Sequence, residues 1–284
     1  LGVTWRLAQE ADLPQIDAFL SRHIQTSMFP LSNLREHGLG SAHPRALTVW
    51  VPDDAPSALF SITNEGMVLP QCADCSDQQL SDAIDLIRGH ALFGLAAEAT
   101  QARRIMQLAG WEGRSATLNS DEPGFSLKLD TLIVPESADA ELAPLGAVGS
   151  SITEGWRKSY LIEAMDFAAD RAQEQAKKDI ATYIERDSHR VLRVKGKAVA
   201  MTGFNARLPE VVQVGGVYTP PDLRGRGYGR LAVALHLIEA RNAGANRAVL
   251  FAASDSAARA YMGIGFQPAG QYSLILFTNP KDTA

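Results

Sequence analysis

Cysteine is almost absent from this 284-residue chain: two occur, in the run Cys72-Ala73-Asp74-Cys75. A framework of several disulfides is excluded. The C-x-x-C pair is left as a redox dithiol, half of a zinc site, or two reduced thiols in a loop. Zinc needs a second pair of ligands at metal-site spacing, and none is visible nearby. The histidines (His23, His37, His43, His90, His189, His236) are scattered, so no metal is expected. No window approaches the roughly 20 apolar residues of a membrane span. The first six residues carry neither a basic n-region nor an apolar h-region, so a soluble, cytoplasmic protein with no membrane partner is expected. Basic charge is also in short supply. The formal net charge is -5, which argues against nucleic acid as a partner, because binding a phosphate backbone needs a concentrated basic surface.

What the chain does have is an ordinary globular composition, 46% hydrophobic and 21% charged, at a length comfortable for two domains. The C-terminal half reads most clearly. Residues 210–218 are β-branched and apolar, a buried-strand pattern that Pro220-Pro221 ends. A glycine-rich turn follows, then a helix whose apolar side is Leu231, Val233, Ala234, Leu235, Leu237 and Ile238, terminated by Gly244. Residues 248–251 form a short strand, Ser254 or Asp255 caps a helix that stops near Gly263, and residues 272–277 close as a strand. Upstream, residues 189–194 and 197–204 read as a hairpin turned at Lys195-Gly196. Residues 151–186 read as one helical stretch with Trp156, Tyr160, Ile162, Phe167, Ile180, Tyr183 and Ile184 facing inward. The plan is α/β.

The N-terminal half repeats this outline weakly. Residues 5–7 start a strand, 10–21 a helix, 46–51 and 57–63 a strand pair, 67–71 a strand, 81–88 a helix and 92–96 a strand. The helix end before Gly110-Trp111 can be laid against the one before Gly265-Phe266. Residues 136–149, rich in Ala, Pro and Gly, are the expected linker between domains 1–135 and 150–284.

The segment Arg224-Gly225-Arg226-Gly227-Tyr228-Gly229 carries the chemistry. Glycines at alternating positions strip side chains from the turn, so backbone N–H groups can converge on one point. The following helix aims its positive dipole end there, and Arg224, Arg226 and Arg230 add charge at the rim. A Walker loop is excluded because no Gly-Lys-Ser/Thr occurs, and the G-x-G-x-x-G dinucleotide spacing fails because Arg230 stands where the third glycine belongs. Arg224-x-x-Gly227-x-Gly229 instead resembles the Q/R-x-x-G-x-G/A signature of GNAT-superfamily N-acetyltransferases. The spacing Ser254, Ala257, Tyr261, Gly265-Phe266 is similar to that family's second signature. The fold implied is an α/β mixed sheet in tandem GNAT-like domains, each a mostly antiparallel sheet with flanking helices. The N-terminal copy is expected to be degenerate, with no glycine between its strand at 67–71 and its helix at 81–88, and with Met106 where the other half has Tyr261.

The resemblance implies roles residue by residue. Acetyl-CoA would be the cosubstrate and a small-molecule or peptide amine the acceptor. Val217, Tyr218 and Thr219 would lie along the acetyl-pantetheine arm, which Val217 and Thr219 would meet with main-chain groups. Gly225, Arg226, Gly227, Tyr228, Gly229 and Arg230, after Arg224, would bind the pyrophosphate. Tyr261 would protonate the departing thiolate. Two departures stand out: Ser254 replaces the family's Asn and has a shorter reach, and Gln213 stands where many relatives place a glutamate. Glu163 and Glu210 are the remaining acids for the amine's proton, each also readable as a solvated surface charge. His189, His236 and water complete the options. An acyl-CoA-binding sensor without turnover is the alternative reading.

Overall fold

The computed structural model describes residues 4–53 and 56–279; residues 1–3, part of the reading on a leader, lie outside them. The chain opens with strand β1 (Trp5–Leu7) and helices α1 (Leu13–Arg22) and α2 (Ile24–His37), followed by strands β2 (Leu47–Pro52), β3 (Phe60–Thr63) and β4 (Met67–Val68). Helix α3 (Asp77–Asp85), strand β5 (Gly94–Glu98), helix α4 (Ala99–Leu108) and strand β6 (Ala116–Lys128) come next. The helix expected from residue 10 begins as a 3-10 turn over Glu10–Asp12, where Arg6 donates to Asp12 at 2.7 Å, and continues as α1. Helix α2 was not expected; Pro30 lies inside it and its apolar periodicity is weak, yet Met28, Leu31 and Leu34 are buried.

Strand β7 (Ala140–Pro144) falls inside the segment read as a linker, which is therefore corrected: residues 140–144 are a paired strand, not a tether. Helices α5 (Ser150–Met165) and α6 (Ala169–Glu185) replace the single helix expected over 151–186. The chain breaks at Asp166, which takes a left-handed conformation (φ 52°). Ile180 is buried as expected, but Ile162 and Ile184 are exposed, and the buried positions include Leu161, Ala172 and Ala176. Arg157 of α5 ties the pair together through Asp179 of α6 at 2.6 Å, its guanidinium lying over the Tyr160 and Tyr183 rings. Then follow β8 (His189–Val194), β9 (Lys197–Arg207), β10 (Val211–Tyr218), α7 (Tyr228–Asn242), β11 (Arg247–Phe251), α8 (Asp255–Met262) and β12 (Gln267–Phe277).

The compact units do not follow the expected boundaries. One comprises residues 1–122 with 270–284, the other residues 123–269. The cause is an exchange of strands. In the first unit the order is β1-β2-β3-β4-β5-β12, antiparallel except for the parallel pair β4/β5, and the last strand comes from the end of the chain. In the second unit the order is β6-β11-β10-β9-β8-β7, antiparallel except for the parallel pair β10/β11. Its β6 partner, residues 124–128, is contributed by the strand that follows α4. Each unit thus has one topology, strand for strand, and each takes its sixth strand from the part of the chain that sequence order would give to the other. In the first unit, Ile275 and Phe277 of β12 sit in the core with Phe60, Leu80, Leu95 and Ile105. Burying each such side chain is worth about 1.5–3 kcal/mol. In the second, Leu127 of β6 packs with Val214, Leu237, Leu250, Tyr261 and Phe266.

Candidate functional site

Strand β10 pairs with β9 as far as Tyr218, but with β11 only through Val211, Val212 and Gln213. Its register against β9 shifts between Gly215 and Tyr218, and Gly216 sits in that bulge at φ 63°. A Cβ there would be strained and would lie 2.7 Å from His189 Nε2, so the bulge requires glycine. A bulge bends the strand that carries it. Beyond Gln213, β10 therefore has an edge toward β11 with no ladder partner among the described residues.

That edge leads into a short 3-10 turn (Pro221–Leu223) and then to Gly227, which caps α7 at φ 78°. No side chain caps α7 among the described residues. Helices α1, α2, α5 and α6 likewise start without a side-chain cap, whereas α8 and α3 have one. Ser254 Oγ accepts from Ala257 N at the start of α8, and Ser76 Oγ accepts from Gln79 N at the start of α3. With glycine at its N-cap, α7 has first N–H groups that are open to an acceptor from outside the helix. A Cβ on Gly227 or on Gly263 would lie 3.3 Å from a terminal nitrogen of Arg230, which places that guanidinium between the start of α7 and the end of α8. Arg226 donates to Asp222 O at 3.3 Å. Helix start, glycines and arginines together can hold an anion.

Arg224 points elsewhere. It donates to Glu163 Oε2 at 2.6 Å and to Thr219 O at 2.9 Å, with its guanidinium 5.5 Å above the Tyr218 ring. The Tyr218 hydroxyl donates to Glu163 Oε1 at 3.1 Å. Glu163, Tyr218, Thr219 and Arg224, singled out separately in the sequence, are therefore one cluster. Tyr218 is pushed up by burial and by the Glu163 carboxylate it donates to, and Arg224 is raised by that same carboxylate. Tyr160, three residues before Glu163 on α5, was read only as packing. Its phenol is close enough to Tyr261 of α8 to raise that residue, after burial, which is the larger cause. Tyr261 lies 8% exposed in the core of the second unit and holds its proton through neutral pH. The i, i+3 spacing of Tyr160 and Glu163 was the available signal.

Other expected residues fall away from this place. Glu210 precedes β10, its carbonyl accepting from Asn246 N at 2.9 Å. It lies at the opposite end of β10 from Tyr218, eight residues away, at up to about 3.3 Å per residue of strand. A cavity of about 310 Å³ lined by Lys128, Asp130, Arg241 and Arg247 is at that same far end, past the C-terminus of α7. His189 is buried, stacked 3.6 Å from the Tyr183 ring and bonded through Nδ1 to Ser188 Oγ at 2.9 Å. Burial and the charges of Arg157, Arg186 and Arg190 push it down to about 3, so it does not titrate near neutrality. His236 stacks on Phe204 and burial likewise holds it neutral. Gln213 is buried in the sheet. In the first unit the chain between β4 and α3 carries a capped helix start instead of an open one, and Met106 is buried in the core. Among the described residues no cluster could hold a metal ion, and no helix is long and apolar enough to cross a membrane.

Residues 151–266 match the acetyltransferase (GNAT) family profile. Similar solved structures cover both units. A Drosophila protein aligns at TM-score 0.64 and 12% identity over 99% of this chain and 100% of that one. A tandem GNAT protein from the clavulanic acid biosynthesis pathway aligns at TM-score 0.55 and 12% identity over the whole of both chains. A GCN5-related N-acetyltransferase from Kribbella flavida gives TM-score 0.54 and 18% identity over 93% of this chain and 95% of that one. No curated protein matches the chain by sequence. Residues 151–266, within the second unit, thus match the GNAT family, and the chain as a whole shares its fold with these solved structures.

Proposed function

We propose that the chain is an acetyl-CoA-dependent N-acetyltransferase acting on a primary amine of a small molecule or peptide. The observation that carries this reading is the uncapped start of α7 beside the unpaired stretch of β10. An anionic group and an extended arm would each find main-chain partners there, which fits the pyrophosphate and pantetheine of CoA. Gly225, Arg226, Gly227, Tyr228, Gly229 and Arg230 would hold the pyrophosphate, and Val217 and Thr219 the arm. Ser254, whose hydroxyl already caps α8, would contribute through its main chain. When bound, acetyl-CoA supplies the activated acyl group. Tyr261, protonated and buried, would give its proton to the departing sulfur. Arg224 acts as a brace between the loop and α5. Glu163, held in place by that brace, supplies the negative charge that draws in a cationic amine and receives its proton.

The test is CoA release in the presence of a panel of amines. Turnover is expected with at least one of them, and Tyr261→Phe should lower kcat by about 10²–10⁴-fold with acetyl-CoA affinity unchanged. Acetyl-CoA binding with no turnover on any amine would contradict the assignment.

A further inference from the structure

The two cysteines take no part in that chemistry, and their surroundings are specific. Cys75 N donates to Cys72 O at 3.1 Å, so residues 72–75 close a four-residue turn. Such turns bring the first and fourth Cα atoms within about 7 Å, which overlaps the separation a disulfide spans. Both ends of the turn are pinned from α4, by residues one helical turn apart. Gln101 Oε1 accepts from Cys72 N at 2.7 Å, and Arg104 donates to Cys75 O at 2.9 Å and to Asp77 at 2.6 Å. The turn occupies the position between β4 and α3 that the anion-holding loop occupies between β10 and α7 in the second unit.

We propose that Cys72 and Cys75 are a redox-active dithiol that a peroxide converts to an intramolecular disulfide. The two sulfurs differ. Cys72 is 1% exposed and its thiol donates to Leu59 O at 3.0 Å. Cys75 is 7% exposed, below a turn tip formed by the exposed Ala73 and Asp74. A thiol has one hydrogen, so once Cys75 ionises the Cys72 S–H can turn to it; this, with the Arg104 charge, lowers Cys75, while burial raises Cys72. Cys75 is the attacking sulfur. Its thiolate displaces hydroxide from hydrogen peroxide, giving a sulfenic acid. The Cys72 sulfur then attacks it, loses its proton, and expels the sulfenic oxygen as water. Together two thiols and one peroxide give one disulfide and two waters. The near-complete burial of both sulfurs favours so small an oxidant. Leu59 O keeps a main-chain bond from Gln71 N at 2.7 Å, so oxidation leaves no carbonyl orphaned. A bridge closing so short a loop removes little chain entropy, which makes it a redox device rather than a staple.

The test uses the full chain, treated with hydrogen peroxide under native conditions, then denatured, alkylated with N-ethylmaleimide and weighed intact. The expected product has lost the mass of two hydrogens and takes no alkyl group, and dithiothreitol restores two alkylation sites. Two alkylation sites after peroxide, or sulfinic and sulfonic products in place of the bridge, would overturn the proposal. The wild-type mass is informative whether or not serine variants fold. Where they do, Cys72→Ser should give a dimedone-trappable sulfenic acid about tenfold faster than Cys75→Ser. The reverse order would overturn the assigned roles.

Discussion

Glu163 has both carboxylate oxygens engaged, one by Arg224 and one by the Tyr218 hydroxyl. The Arg224 pair is about half exposed, so its direct contribution to stability is about 0–1 kcal/mol at most. In the proposed mechanism it holds the Glu163 carboxylate beside the end of β10. Glu163→Gln keeps the hydrogen-bonding shape and removes the charge, while Arg224 stays tied to Thr219 O. The expected result is a rise of about tenfold in KM for the amine, corresponding to ~1.4 kcal/mol, with acetyl-CoA affinity altered less than about threefold. Equal effects on both substrates would remove Glu163 from the acceptor side. His189 makes a second residue-scale prediction, on stability. Its folded-state value falls from 6.5 to about 3, so between those limits the unfolded chain binds a proton that the folded chain refuses. This stability is complete above pH 6.5 and is lost as pH falls, at about 1.4 kcal/mol per pH unit. Urea unfolding at pH 6.5 and pH 5, above most carboxylate titrations, should show that loss. In His189→Gln, where His236 still adds its own slope in the same direction, the loss should be smaller. Identical slopes in the two proteins would contradict the burial argument.

At the scale of elements, the strand–loop–helix of β10 and α7 was legible because its signals are local: β-branched runs, Pro220-Pro221, and glycines at fixed spacing. Pairing choices were not legible. Glu163 and Arg224 are 61 residues apart, and nothing in either neighbourhood encodes the other. Glu210 is seven residues from Val217 in sequence, and an extended strand sets the two toward opposite ends of β10. Helix α2 was hidden by Pro30, and the break at Asp166 by the alanine-rich composition that follows it. The repeat of helix end plus Gly-aromatic was a true signal: Trp111 and Phe266 are both buried in equivalent cores.

At the scale of the whole molecule, the exchanged strands decide how the chain can be cut. A fragment made of residues 150–284, the domain expected from sequence, would lack both β6 and β7, and it would carry β12 without its β5 partner. Deleting residues 270–284 from the full chain strips the β12 partner from β5 and removes Ile275 and Phe277 from the core of the first unit. Loss of most of that unit's cooperative unfolding transition is expected by thermal circular dichroism. A truncated chain that melts as the intact one does would contradict the strand exchange. The most direct test of the central claim, that only the loop of the second unit holds the acyl donor, is calorimetric titration of the intact chain with acetyl-CoA. The expected result is one site per chain, abolished by Gly227→Asp, which sets a side chain at a φ of 78° and a negative charge at the start of α7. Two sites per chain, no binding, or binding indifferent to that substitution would contradict it.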